Sequence, residues 1–176
     1  MNSADDEGDG RVLAFTGDGK GKTTAALGCV TRAAGHGMTC LMIQFVKARE
    51  TGEHKIVRNL NPNVEIRAMG GGFVRENDQK GMEEARRQAA DALDSARAAM
   101  AYGRWNVVVL DEVLYAASKN LVTPGEVKRG IQRRARGTHV IMTGRNAPQE
   151  LLELADTATD MRCISHPGIA TEGIET

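Results

Sequence analysis

The sequence predicts a single α/β domain built on an open, mostly parallel sheet with helices on both faces, and three observations carry that expectation. Short, continuous apolar runs such as Val12–Phe15 and Val107–Leu110 have the length of strands buried on both faces. They alternate with longer segments of helical periodicity, as parallel crossovers require. A glycine-rich loop follows the first run directly and leads into the first helical segment. At 176 residues and 41% hydrophobic content, the chain has enough material for one continuous core.

Residues 1–10 carry Asp5, Asp6, Glu7 and Asp9 without a large apolar side chain, so they are expected to form a disordered acidic tail. Residues 11–176 are expected to form the domain. After the loop, Thr23 to Ala34 reads as a helix, favoured by its alanines and stopped by Gly35-His36-Gly37. Strands are expected at Thr39–Phe45 and at Val64–Ala68, the latter after the turn Asn61-Pro62-Asn63. Met82, Ala85, Ala89, Leu93, Ala96 and Met100 recur at spacings of three and four and mark one face of a long helix ending near Gly103. Val107–Leu110 is the expected central strand, ending in Asp111-Glu112. Thr123-Pro124-Gly125-Glu126 has the form of a capping box with proline at the first helical position, which predicts a helix toward Arg136. His139–Thr143 is the next strand, a short helix follows from Asn146 and Pro148 through Ala155, and Asp160–Ile164 is expected to be an edge strand.

Charge and composition exclude several classes of function. Lys and Arg number 23 against 23 Asp and Glu, so no global field draws the chain to nucleic acid or an anionic membrane, and 3% aromatic content supplies few stacking platforms. No apolar run approaches the ~18 residues that span a bilayer, and the first residues are acidic, which predicts a cytoplasmic location. Cys29, Cys40 and Cys163 are odd in number and widely spaced, against both a disulfide framework and a zinc site. His166, with no supporting spacing from His36, His54 or His139, is not expected to bind a metal.

The loop Gly17-Asp18-Gly19-Lys20-Gly21-Lys22-Thr23-Thr24 carries the chemistry. It lies where the first helical N–H groups lack partners and the helix dipole favours an anion, so phosphates can supply the missing acceptors. Glycines allow the backbone to curl around them, Lys22 adds a cation, and the Thr23 hydroxyl is placed to ligate Mg²⁺. This predicts ATP binding in a P-loop, RecA-like domain. The pattern G-x-x-x-x-G-K-[ST] is not met strictly: Thr16 stands five before Gly21, and the loop is one residue short. Asp111 and Glu112, at the end of a buried strand, are the expected acidic partners and reach Mg²⁺ directly or through water.

Thr16–Gly28, Gln44-Phe45-Val46-Lys47, Val107–Glu112, Ile141-Met-Thr-Gly-Arg145 and Leu151–Thr157 resemble, in order and spacing, the corrinoid adenosyltransferases of the CobA/BtuR type. The resemblance covers Arg11 to about Met161, and the shortened loop is what that family has. It implies transfer of the 5′-deoxyadenosyl group of ATP to a corrinoid, either cobalamin or a precursor such as cobinamide, whose cobalt is reduced to Co(I), with triphosphate as leaving group. It further implies Lys22 and Glu112 as catalytic residues, a homodimer, and an electron donor such as a reduced flavoprotein. Phe73 matches an aromatic position that the family places beneath the corrin ring, although an ordinary loop anchor would look the same. Two residues on, Arg75 stands where the family commonly has tryptophan, so that pair of wedges is incomplete. Arg145 is expected to contact phosphate or a corrin side chain, or to remain a surface cation. His166–Ala170 and Glu172–Glu175 look like the family's ending with a few residues missing between. A P-loop phosphotransferase or ATPase releasing ADP, and a nucleotide- or corrinoid-binding carrier with little turnover, are the competing readings.

Overall fold

The computed structural model describes residues 8–47, 52–55, 62–72, 78–165, 171 and 173. In chain order the elements are β1 (Val12–Thr16), α1 (Lys22–Gly35), β2 (Cys40–Gln44), β3 (Val64–Ala68), α2 (Gln79–Ala101), β4 (Val107–Asp111), α3 (Val113–Ser118), α4 (Pro124–Gln132), β5 (His139–Thr143), α5 (Gln149–Leu152) and β6 (Thr157–Asp160). The strands form one sheet in the order β3-β2-β4-β5-β1-β6, and every neighbouring pair is parallel. This is the open α/β sheet the sequence predicts. Because no strand is reversed, all six carboxyl ends meet at one edge.

The apolar runs are continuous because each strand is covered on both sides. Val107 and Val109 of β4, with Cys40, Met42, Phe15 and Ile141, pack beneath Ala26 and Val30 of α1. Val108 and Leu110 face the other way, with Leu41, Ile43, Val140 and Met142, into a larger core closed by Ala89, Leu93, Ala96 and Met100 of α2 and by residues of α3, α4 and α5. Alternate residues thus feed two cores, and a one-residue slip of register would exchange them.

Helix ends follow local chemistry. Asp78 caps α2 by accepting the Gly81 N–H at 2.9 Å, which starts the helix three residues before Met82. At α4 both halves of the Thr123–Glu126 capping box form. That helix stops at Gln132, short of the expected Arg136, because Ala135 donates to Met100 O at 2.8 Å and Gly137, at φ +81°, turns the chain into β5. Helix α3, not expected from the sequence, starts directly after β4. Gly10 is buried against Thr138, and its carbonyl accepts from Arg134 Nη2 at 2.7 Å.

The last strand is also shifted. It was expected at Asp160–Ile164 and lies at Thr157–Asp160, since Asp156 anchors the register: its carboxylate accepts the Val12 N–H at 2.7 Å and its own N–H donates to Val12 O at 2.8 Å. All four β6 residues are exposed, so no apolar alternation announces the strand.

Leu110 is fully buried between β4 and the larger core. Leu110→Ala is expected to cost about 3 kcal/mol and to lower the thermal midpoint by roughly 6–12 °C. Thr123→Ala, which removes only a cap, is expected to cost about 1 kcal/mol; thermal melts of the two variants check both figures.

Candidate active site at the carboxyl edge

Register places Gln44 beside Asp111, Phe15 beside Thr143 and Thr16 beside Asp160, so the final residues of β2, β4, β5, β1 and β6 stand in one row. The loop 17–21 rises from this row into α1. Gly17 and Gly21 have φ of +93° and +105°, in the left-handed region where a side chain is strained. No side chain caps the helix at Gly21, which leaves the first-turn amides to an incoming acceptor.

Residues after β6 form the wall behind the loop. Met161 N–H donates to Thr16 O at 2.9 Å, and Gly19 N–H donates to Met161 O at 2.6 Å. A Cβ on Gly17 would stand 2.2 Å from Asp160 Oδ1, and one on Gly19 would stand 2.5 Å from Met161 O. Both glycines are therefore demanded by the residues that follow and close β6.

Lys22, 6% exposed, turns back over the loop and donates from Nζ to Gly17 O at 2.8 Å and Gly19 O at 2.5 Å. Burial, with Arg145 adding to it, lowers its pKa below the ordinary lysine value, while Glu112, Asp18 and Asp160 act in the opposite sense. Thr23, the next residue, donates from its hydroxyl to Asp111 Oδ1 at 2.8 Å. The same oxygen accepts from the Thr143 hydroxyl at 2.7 Å, and Oδ2 accepts from Gln44 Nε2 at 3.1 Å. Asp111 has no solvent exposure. Oδ1 thus holds two hydroxyl donors, and the Thr23 hydroxyl is committed to it as donor.

Glu112 leaves the row in a left-handed conformation, φ +63°, a strained choice for a residue with a side chain. Its N–H donates to Thr143 Oγ1 at 2.9 Å, which holds the turn and starts α3. Burial, reinforced by the Asp111 carboxylate, raises the Glu112 pKa above the ordinary glutamate value, with Lys22, Arg145 and Lys47 opposing. Lys47 is also paired with Glu53 at 2.9 Å.

The structure therefore brings together Gly17, Gly19, Gly21, Lys22, Thr23, Asp111 and Glu112, with Arg145 close enough to influence both Lys22 and Glu112. Asp18, Lys20, Thr24 and Arg145 are exposed on the outer side. An open depression of about 470 Å³ adjoins the loop, bounded by Thr16, Gly17, Asp18, Asn146 and Asp160. Phe73, Arg75 and His166 lie outside the described residues. Gly70 and Gly72 do reach the same edge, Gly72 N–H donating to Val46 O at 2.7 Å and a Gly70 Cβ falling 2.4 Å from Phe45 O. Sequence reasoning about the site missed Gln44, Thr143, Lys47 and the 160–162 wall. Its one available signal was a polar residue closing an otherwise apolar run, as Gln44 and Thr143 both do.

Among the described residues no three His, Cys, Asp or Glu side chains converge as a metal cage.

The raised pKa of Glu112 fixes a sign. Between the ordinary value of 4.5 and the raised one the folded state binds the extra proton, so its contribution to stability falls as pH rises through that window. Without nucleotide or divalent ions, Glu112→Gln is expected to melt above the parent at pH 7. The two should converge below about pH 4, where Glu112 is protonated folded and unfolded; paired melts at the two pH values check this.

Residues 8–176 match the family model described as ATP:corrinoid adenosyltransferase BtuR/CobO/CobP. The chain is 35% identical over 173 residues to a corrinoid adenosyltransferase of Sinorhizobium sp, covering 94% of this chain and 80% of that protein. It is 37% identical over 171 residues to one of Pseudomonas aeruginosa, covering 94% and 83%. With one of Escherichia coli K12 the identity is 35% over 159 residues, covering 89% and 79%.

Proposed function

The chain belongs to the ATP:corrinoid adenosyltransferase family, and we propose that it works at the carboxyl edge of its sheet, seating ATP on the Gly17–Thr24 loop. It is an ATP-dependent transferase that moves the adenosyl group of ATP to a corrinoid in cobalamin synthesis. Residues 11–176 act as one nucleotide-binding domain, with 1–10 as an acidic tail.

In this reading the corrinoid's Co(I) attacks C5′ of the ribose. A cobalt–carbon bond forms, the bond from C5′ to the α-phosphate oxygen breaks, and triphosphate leaves with the electron pair, the cobalt ending formally as Co(III). No phosphoryl group moves and no hydroxyl needs a base, so the protein's work is positioning and charge stabilisation. Loop amides and Lys22 hold the triphosphate, Lys22 exchanging the carbonyls of Gly17 and Gly19 for phosphate oxygens. Arg145 adds a further cation, and Asp18, Lys20 and Thr24 complete the loop's outer rim. Thr23 and Glu112 would hold Mg²⁺, with Asp111 acting through Thr23; the ion would neutralise charge growing on the leaving triphosphate. Phe73 is assigned to the lower face of the corrin ring. Homodimer formation, a reduced flavoprotein as electron donor and a cytoplasmic location are further expectations from the family resemblance. No described helix is long and apolar enough to cross a membrane.

The observation that supports the site most directly is the Thr23–Asp111 hydrogen bond beside a buried Lys22, which joins the loop to the acidic strand end. Incubation with MgATP and chemically reduced cob(I)alamin is expected to yield a cobalt–carbon bond and triphosphate in equal amounts. Release of ADP would show a phosphotransferase or ATPase, and binding without product a carrier. Lys22→Ala is expected to weaken MgATP binding at least tenfold, read by calorimetry; unchanged affinity would remove the loop from the mechanism.

A further inference from the structure

The first four residues of β2, Cys40 to Ile43, are apolar and fully buried, and Gln44 is as inaccessible as they are. Packing alone would place another aliphatic residue there, since a buried amide brings two polar ends that both need partners. One end is satisfied. Nε2 donates to Asp111 Oδ2 at 3.1 Å, while Oε1 is buried with no hydrogen-bond partner among the described residues. Exchanging the two ends solves nothing, because it would set a carbonyl oxygen against the Asp111 carboxylate and strand the NH₂ group instead. An orphaned acceptor two bonds from the nitrogen that holds a site carboxylate marks where a donor arrives.

We propose that Gln44 is a positioning residue of the nucleotide site: Nε2 fixes Asp111 so that Oδ1 stays on the Thr23 hydroxyl, and Oε1 accepts from a water of the magnesium ion that accompanies ATP. The inference rests on the nucleotide-site reading above. Among the described residues Asp111 Oδ1 takes both threonine hydroxyls and Oδ2 takes only Gln44, so the glutamine fixes which oxygen faces Thr23. Thr23, with its proton committed to Asp111, presents only lone pairs outward. Magnesium sheds water reluctantly, and its remaining waters are the donors that enter with the nucleotide. Gln44 thus acts on the ion from both ends of one amide.

Gln44→Met keeps the length and buried character of the side chain and removes both polar ends. Calorimetry on this variant, on Thr23→Ala and on the parent would measure ATP affinity with excess magnesium and again in EDTA, alongside a thermal melt. For Gln44→Met the MgATP affinity is expected to fall about tenfold, the affinity in EDTA to stay within about twofold, and the melting temperature to fall, because the buried Asp111 Oδ2 loses its donor. An unchanged MgATP affinity would overturn the proposal, as would an equal loss in both titrations. Should the methionine variant not fold, Gln44→Leu answers in the same titrations; if neither folds, Gln44 is structural and the proposal is wrong. A parent with no magnesium-dependent affinity would sink the site reading itself. Loss of magnesium dependence in Thr23→Ala but not in Gln44→Met would sink the role of Gln44 alone.

Discussion

A single buried carboxylate, Asp111, fastens α1, β2, β4 and β5 at the edge where the site forms. An unpaired carboxylate in an apolar interior would cost more than the whole stability of a domain this size. Three donors offset that cost here, from Thr23, Thr143 and Gln44, each hydrogen bond to a charged acceptor contributing on the order of 1.5–3 kcal/mol. The same bonds fix direction. Thr143, having given its proton to Asp111, accepts the N–H of Glu112 and so holds that residue in its left-handed turn at the head of α3. One buried charge therefore sets the aim of Thr23 at the start of α1 and, through Thr143, of Glu112 at the strand end.

A second constraint comes from the far end of the chain. The segment leaving β6 presses against the loop so closely that Gly17 and Gly19 have no room for a Cβ, and Gly19 is bonded to Met161. A loop braced in this way presents its amides without first having to be ordered, which is what phosphate recognition by backbone groups requires. Shortening the loop by one residue is consistent with that bracing, because the wall behind it leaves little slack.

Charge is distributed across the site to match. Lys22, disfavoured as a cation by burial and by Arg145, and Glu112, disfavoured as an anion by burial and by Asp111, each relieve the other in part. Arg145 and Lys47 also act on Glu112, opposing the rise in its pKa. In the proposed complex a triphosphate would give Lys22 a stronger partner than the two loop carbonyls it now holds.

The sequence alone determined the architecture, the glycine loop and the acidic strand end, because each is written in neighbouring residues: continuous apolar runs for two-sided strands, periodic alanines for α2, a capping box for α4. The resemblance of five short segments to the corrinoid adenosyltransferases was legible too, and the family match agrees with it. Only the tertiary structure decided that Gln44 and Thr143 converge on Asp111, that Lys47 stands near Glu112, and that residues 160–162 wall the loop. Those contacts join positions far apart in the sequence, as the bond from Met161 N–H to Thr16 O does, and they depend on which strands lie side by side. The exposed β6 and the left-handed start of α3 left no periodicity to find, since pairing with β1 and a hydroxyl on β5 create them. Local pattern records what a residue does to its own helix or strand; strand order, set by the crossovers, decides which polar ends meet at the edge.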